Sequence, residues 1–287
     1  MAVWLGTLRA LGAYPPLAKI DFSWVPNSIA ELPNDFEVLA KERKERRWVS
    51  YDALARVPDQ IRQDVERVYG RDERATALMA RDALLIEWMI TLPWRQRNIR
   101  ECKLLSFAKR GNLSKEEIPT NSTMAKAEWA QQQLRANPAE TFWQFYFRPE
   151  ETKTGNIVRA ILPYQLVGPL EDYLRCYRPI LVDGVDPHTL FLNDHGRPFC
   201  SRRLESLVGD LTLRYAGRRV NPHLFRDILA LKWLEDHPED FLTLSKILWH
   251  RNIKTTLQIY GANFDESHGA RRVEQWLDAR RKATDKP

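Results

Sequence analysis

The chain has 287 residues, 44% of them hydrophobic, enough to bury a substantial core, and its longest apolar runs fall well short of a membrane span. Lys and Arg number 44 against 38 Asp and Glu, a net charge of +6 that favours a polyanionic partner and does not specify one. Cys102, Cys176 and Cys200 are odd in number and widely spaced, which excludes a disulfide framework or a zinc-finger pattern and fits a soluble protein of the reducing cytoplasm.

Residues 3–12 (VWLGTLRALG) read as one amphipathic helix ended by Gly12, and Pro15 and Pro16 prevent its continuation. The stretch to about residue 40, with Pro26, Pro33 and scattered aromatics, reads as an extended connector. LAKERKERRW (39–48) holds five basic and two acidic residues and is expected to begin a helix, either a solvated face or a contact to a polyanion. ATALMARDALLIEWMI (75–90) has helix-period apolar positions on a broad face and reads as core.

Between 109 and 139 a polar stretch gives way to a short helical AKAEWAQQQL. FWQFYF (142–147) and NIVRAILP (156–163) are expected to be two strands joined by a loop with Lys153, Thr154 and Gly155. TLFLNDHGRPF (189–199) reads as a strand and turn, and the chain from Ser201 to Trp276 as predominantly helical. The expected fold class is therefore mainly α with a small antiparallel β-sheet (α+β).

Two segments carry chemistry. PHLFRD (222–227) places His223 and Arg226 on one face of a helix that Asn221 can cap and Pro222 can begin. ILWHRNIKTTLQIYG (247–261) then sets His250, a Thr pair and Tyr260 in sequence. Singly, each has an ordinary explanation: His-x-x-Arg is common, and an isolated tyrosine on a helix is usually packing.

Together they resemble the C-terminal signature of the tyrosine recombinases, the phage integrase family, in which a His-x-x-Arg, a Leu-Gly-His element and a Thr pair precede a nucleophilic Tyr. Two upstream elements extend the resemblance. In LPWRQRNIREC, Pro93, Trp94 and Asn98 put Arg95 in the register of the family's first arginine, with Arg97 the alternative. ETKTGN resembles the family's hairpin tip, whose lysine is here Lys153.

The resemblance covers about residues 48–267. It implies a catalytic domain over 48–267 with an insertion at about 109–139. Residues 1–47 would be the last helix of a core-binding region plus connector, and 268–287 a C-terminal helix and tail, RRVEQWLDARR, that docks on a neighbour or packs on its own chain. The chain is then a C-terminal piece of a longer protein or a member with a reduced N-terminal domain.

The implied roles are Tyr260 as nucleophile, Arg95 and Arg226 as the phosphate clamp, and Lys153 as general acid toward the 5′ oxygen. His223 would accept the tyrosine proton or bond a phosphate oxygen, and His250 would donate to the same phosphate. The implied activity is site-specific recombination or integration of double-stranded DNA by a homotetramer on two sites, with no cofactor, no metal and no membrane. Two alternatives stay open, a type IB topoisomerase using the same chemistry and a non-catalytic DNA-binding descendant. Two departures from the family stand out: Trp249 replaces the Gly before His250, and Tyr260 lies ten residues beyond His250 where many members have nine.

Overall fold

The structure, a computed structural model, describes residues 47–117 and 141–261, with Val273, Glu274, Leu277 and Arg281 beyond them. The expected helices at 3–12, from 39 and within 125–134, and most of the C-terminal segment, lie outside the described residues.

Two helices, α1 (Tyr51–Ala55) and α2 (Val57–Val68), lead to α3 (Glu73–Thr91), the spine of the core. The side chain of Asp72 starts α3 by accepting from Ala75 N at 2.9 Å. Its apolar residues recur at helical period, and Ala77, Leu84, Leu85 and Trp88 are almost wholly enclosed. α2 packs along one side of α3. On another side lie α5 (Val167–Asp172), a π-helical turn (Tyr173–Tyr177) and α6 (Arg178–Leu181), and α8 (Pro222–Asp236) also contacts it. α3 stops at Leu92-Pro93, where a proline cannot continue the ladder, and α4 (Gln96–Glu101) restarts after Arg95.

β1 (Leu113–Glu116), β2 (Phe142–Phe147) and β3 (Val158–Ile161) form an antiparallel sheet in that order, with Leu113 opposite Phe145 and Phe147 opposite Val158. β2 and β3 fall where the alternation places them. β1 does not: its four residues, LSKE, lie inside the stretch expected to be an insertion, yet they form an edge of the sheet. Lys115 and Glu116 explain the discrepancy, because charged side chains suit an exposed edge and erase the apolar alternation. The segment at 189–199 is a turn held by isolated bridges, Lys103 with Thr189 and Leu192 with Pro198, rather than a full strand.

α7 (Ser201–Ala216), α8, α9 (Phe241–Ile247) and α10 (Ile253–Tyr260) complete the described fold. The expected start of α8 is observed: Asn221 Oδ1 accepts from Leu224 N at 2.9 Å and Pro222 is the first helical residue.

One aromatic cluster ties these parts together. Trp94 meets Trp88 edge-on at 5.2 Å between ring centroids, Phe145 at 5.0 Å and Phe147 at 4.8 Å, while Trp249 lies 5.5 Å from Phe147 and 6.0 Å from Trp94. The α3–α4 corner, the central strand and the α9–α10 corner thus share one anchor. Arg95 and His250 are the residues immediately after two of its tryptophans, Trp94 and Trp249.

Candidate active site

Arg95 is the N-cap residue of α4 and is half-buried. Its Nη1 is enclosed and has no hydrogen-bond partner among the described residues. Burial lowers the pKa of this guanidinium. Arg97, the alternative from sequence, is exposed and paired with Glu101 at 2.8 Å, one turn along α4. The structure therefore turns Arg95 inward and Arg97 outward.

Arg226 is buried on α8, where its Nη1 donates to Pro93 O and its Nη2 to Leu248 O at 2.8 Å. One guanidinium so bridges the two corners that carry Arg95 and His250. Burial, then the charge of Arg95, pushes its pKa down to about 10. It stays charged at neutral pH.

His250 follows a Schellman turn. His250 N donates to Ser245 O at 2.9 Å and Trp249 N to Lys246 O at 3.0 Å, closing the end of α9. Trp249 occupies the left-handed position of that turn, with φ +55°. This is where glycine fits without strain, and here the aromatic cluster holds a tryptophan in it at a cost of about 1–2 kcal/mol. Burial of Trp249 outweighs that strain, since emptying a buried Trp site costs about 3–5 kcal/mol. Trp249→Gly and Trp249→Ala are both expected to lower the melting temperature. Ala should be the worse by about 1 kcal/mol, because it keeps the strain and loses the packing; equal melting temperatures would refute the strained-turn reading.

The imidazole of His250 is fixed from the next helix. Its Nδ1 lies 2.8 Å from Oγ1 of Thr256, which is fully buried on α10. Burial, Arg226 and Arg95, in that order, lower its pKa. Thr256, second of the pair noted in the sequence, thereby gains a physical task.

Tyr260 ends α10 and is 5% exposed, packed with Ala230, Leu234, Leu244 and Leu248. Its hydroxyl donates to Asp227 Oδ1 at 2.8 Å. Burial above all, and then the Asp227 carboxylate, raise the phenol's pKa well above its ordinary value, while Arg226 opposes them. Sequence reasoning missed Asp227. The available signal was its place one residue after Arg226 and one helical turn after His223.

Lys153 and His223 are exposed, Lys153 in the β2–β3 turn and His223 in the first turn of α8. Gly155, at φ +68°, lets that turn close, and Thr152 Oγ1 braces it by donating to Asn156 O at 2.8 Å. Asn98, buried three residues after Arg95, donates to Glu151 O at 3.0 Å and ties the hairpin to the helix of Arg95. The structure thus gathers Arg95, Arg226, His250 and Tyr260 around the ends of α3, α9 and α10. No group of His, Cys, Asp and Glu suited to hold a metal occurs among the described residues, and no described helix is long and apolar enough to cross a membrane.

No protein-family model matches the chain. It is 32% identical over 94 residues to the tyrosine recombinase XerC of Lacticaseibacillus casei and equally so to that of Lacticaseibacillus paracasei, over 32% of this chain and 31% of each relative. Its fold matches that of the XerH site-specific recombinase bound to difH substrate in a pre-cleavage complex, with TM-score 0.52 and 14% identity over 80% of this chain and 54% of that one. A post-cleavage XerH complex gives TM-score 0.50 and 15% identity over 81% of this chain and 54% of that one. The chain so spans about half the length of the XerH chains and the match about a third of the XerC relatives. This chain is thus similar in fold to a site-specific recombinase and, over 94 residues, similar in sequence to tyrosine recombinases.

Proposed function

We propose that the chain is the catalytic part of a site-specific DNA recombinase that cleaves and rejoins strands through a 3′-phosphotyrosyl intermediate. The observation that carries this reading is the accumulation of positive charge beside Tyr260. Burial lowers the pKa of both guanidiniums, Arg95 lowers that of Arg226 further, burial and both arginines lower that of the His250 imidazole, and one buried guanidinium nitrogen has no partner among the described residues. Such a cluster is costly alone and is relieved by an anion. A phosphodiester supplies the charge, and its reaction develops more of it on the non-bridging oxygens.

In this mechanism Arg95 and Arg226 take the non-bridging oxygens and stabilise the pentacoordinate transition state. Thr256 donates its hydroxyl proton to Nδ1 of His250, which leaves Nε2–H to donate to the same phosphate. The Tyr260 oxygen attacks phosphorus, the bond to the 5′ oxygen breaks, and Lys153 protonates that oxygen. Reversal by a 5′ hydroxyl rejoins the strand without a nucleotide, because the phosphotyrosyl ester conserves the bond.

DNA-backbone binding finds support outside this cluster. Arg47, Arg202 and Arg219, the last of them paired with Asp210, line a cavity of about 310 Å³ with Glu205, Ser206 and Asn221 at the N-terminal end of α8. Three guanidiniums and a helix N-terminus favour phosphate there. Assembly as a homotetramer on two sites, in a mobile element or its host, belongs to the same proposal.

The test uses duplexes with a randomised core and a 5′-bridging phosphorothioate, incubated with the chain in EDTA and resolved on denaturing gels. A covalent adduct is expected without metal or nucleotide, since the arginines supply the charge stabilisation. Lys153→Ala should cleave ordinary DNA at least about 100-fold more slowly, yet recover most of its rate with sulfur as leaving group, which needs no acid. Equal response of Lys153→Ala and Arg226→Ala to sulfur would remove Lys153 from the acid role. Relaxation of supercoiled plasmids regardless of sequence would instead mark a type IB topoisomerase.

A further inference from the structure

We infer that Asp227 is the general base for Tyr260, taking the phenolic proton as the tyrosine oxygen bonds to phosphorus. The inference rests on the phosphotyrosyl reading above and assigns the one proton that His-x-x-Arg chemistry leaves without a fixed acceptor.

Tyr260 cannot supply a phenolate in advance. Its phenol is buried, and both the burial and the neighbouring carboxylate hold it in the neutral form. It does not ionise in advance at neutral pH, so the proton leaves during the attack, to a group already within hydrogen-bond reach.

Among the described residues, the acceptor that the Tyr260 hydroxyl reaches is Asp227 Oδ1, at 2.8 Å. The distance lies inside the range a general base requires. The two histidines are worse placed. His250 has Nδ1 engaged with Thr256, and burial, then the charges of Arg226 and Arg95, lower its affinity for a proton. His223 is exposed in the first turn of α8, whereas the phenol is enclosed among Leu234, Leu244 and Leu248.

The step balances. The Tyr260 oxygen forms its bond to phosphorus and its proton passes to an Asp227 oxygen, while the P–O5′ bond breaks and the departing oxygen takes a proton from Lys153. In the rejoining step Asp227 returns its proton to the phenolate as that becomes the leaving group. A carboxylate is a weak base toward a free phenol, but the phenolic proton becomes far more acidic once its oxygen is bonding to phosphorus; an Asp receives a hydroxyl proton in the same way in kinase phosphoryl transfer. Arg226, on the same helix, is a charge that acts on this pair, and Arg95 acts in turn on Arg226.

Asp227→Asn keeps the shape and an acceptor oxygen but removes the base. Single-turnover adduct formation on the phosphorothioate duplexes is expected to fall about 10²- to 10⁴-fold, with duplex binding unchanged. The pH profile separates chemistry from structure. The native rate should be nearly flat from pH 6 to 9, roughly, because Asp227 and not hydroxide takes the proton. The Asn variant should gain about tenfold per pH unit over that range, because its proton must go to hydroxide.

Asp227→Glu should restore the flat profile with part of the rate, and it serves if the Asn variant folds poorly. An Asn variant with the native rate, a faster rate, or a profile parallel to the native one, or a Glu variant whose rate climbs with pH as the Asn variant's should, would overturn the inference. A faster Asn variant would make Asp227 a restraint on the nucleophile. If the native chain forms no adduct, the recombinase reading itself fails; if it does and Asp227→Asn matches it, only the role of Asp227 fails.

Discussion

Tyr260→Phe is expected to form no covalent adduct with DNA at all, while binding duplexes as the native chain does. The substitution removes one oxygen, and the arginines and the cavity at the start of α8 keep their positions because none of them contacts the hydroxyl. Stability should drop by only about 1 kcal/mol, since the ring still packs against Leu244 and Leu248 and one hydrogen bond to Asp227 is lost. Binding and cleavage are measured separately, by gel shift and by denaturing gel. Loss of binding along with cleavage would mean that Tyr260 serves the fold.

Arg226→Ala carries the second large effect, and it acts twice. Removing one pre-positioned donor to developing oxyanion charge costs about 10²–10³ in rate. Arg226 also bridges Pro93 O and Leu248 O, so its loss frees the corners that carry Arg95 and His250. The combined loss is expected to exceed about 10³, with no recovery on sulfur-substituted DNA. Two buried carbonyls lose their donor at about 1–3 kcal/mol each, partly offset by release from repulsion with Arg95, so net destabilisation of about 1–3 kcal/mol is expected in thermal melts. Arg226→Lys should rescue neither property, because one ammonium cannot span both carbonyls. A Lys variant with native stability and rate would reduce Arg226 to a generic positive charge.

These expectations draw unequally on sequence and on structure. α3, β2, β3 and the start of α8 were legible because burial imposes a period on the chain and because Asn221-Pro222 is a local start signal. The strand β1 was not. A four-residue edge strand with one enclosed apolar side chain has no alternation to read, and its pairing with β2 is separated by a long stretch of chain. Arg95 stood out from Arg97 only by register with the family, whereas in three dimensions one turns inward and the other pairs with Glu101.

The site shows the same division. The residues that would grip phosphate were visible as a family pattern, but what positions them was not. Trp94 and Trp249 anchor the residues that follow them, Thr256 fixes an imidazole, and Asn98 holds a hairpin; each contact joins segments distant in the chain. Asp227 is the sharpest case. In sequence it is an acid beside an arginine and reads as a local ion pair, and only the return of α10 places it against Tyr260. Trp249 was visible as a residue, but the left-handed backbone it occupies, where glycine fits without strain, needed the structure.

A nucleophilic Tyr260 carries the cleaved DNA strand, so locating that strand on the protein identifies the nucleophile. The native chain is trapped on phosphorothioate duplexes in EDTA, the adduct is digested with protease and nuclease, and the nucleotide-bearing peptide is sequenced by mass spectrometry. The expected result is a 3′-phosphonucleotide on Tyr260, within the peptide that follows Lys254. A nucleotide on any other residue, or no adduct on any duplex of the pool, would contradict it.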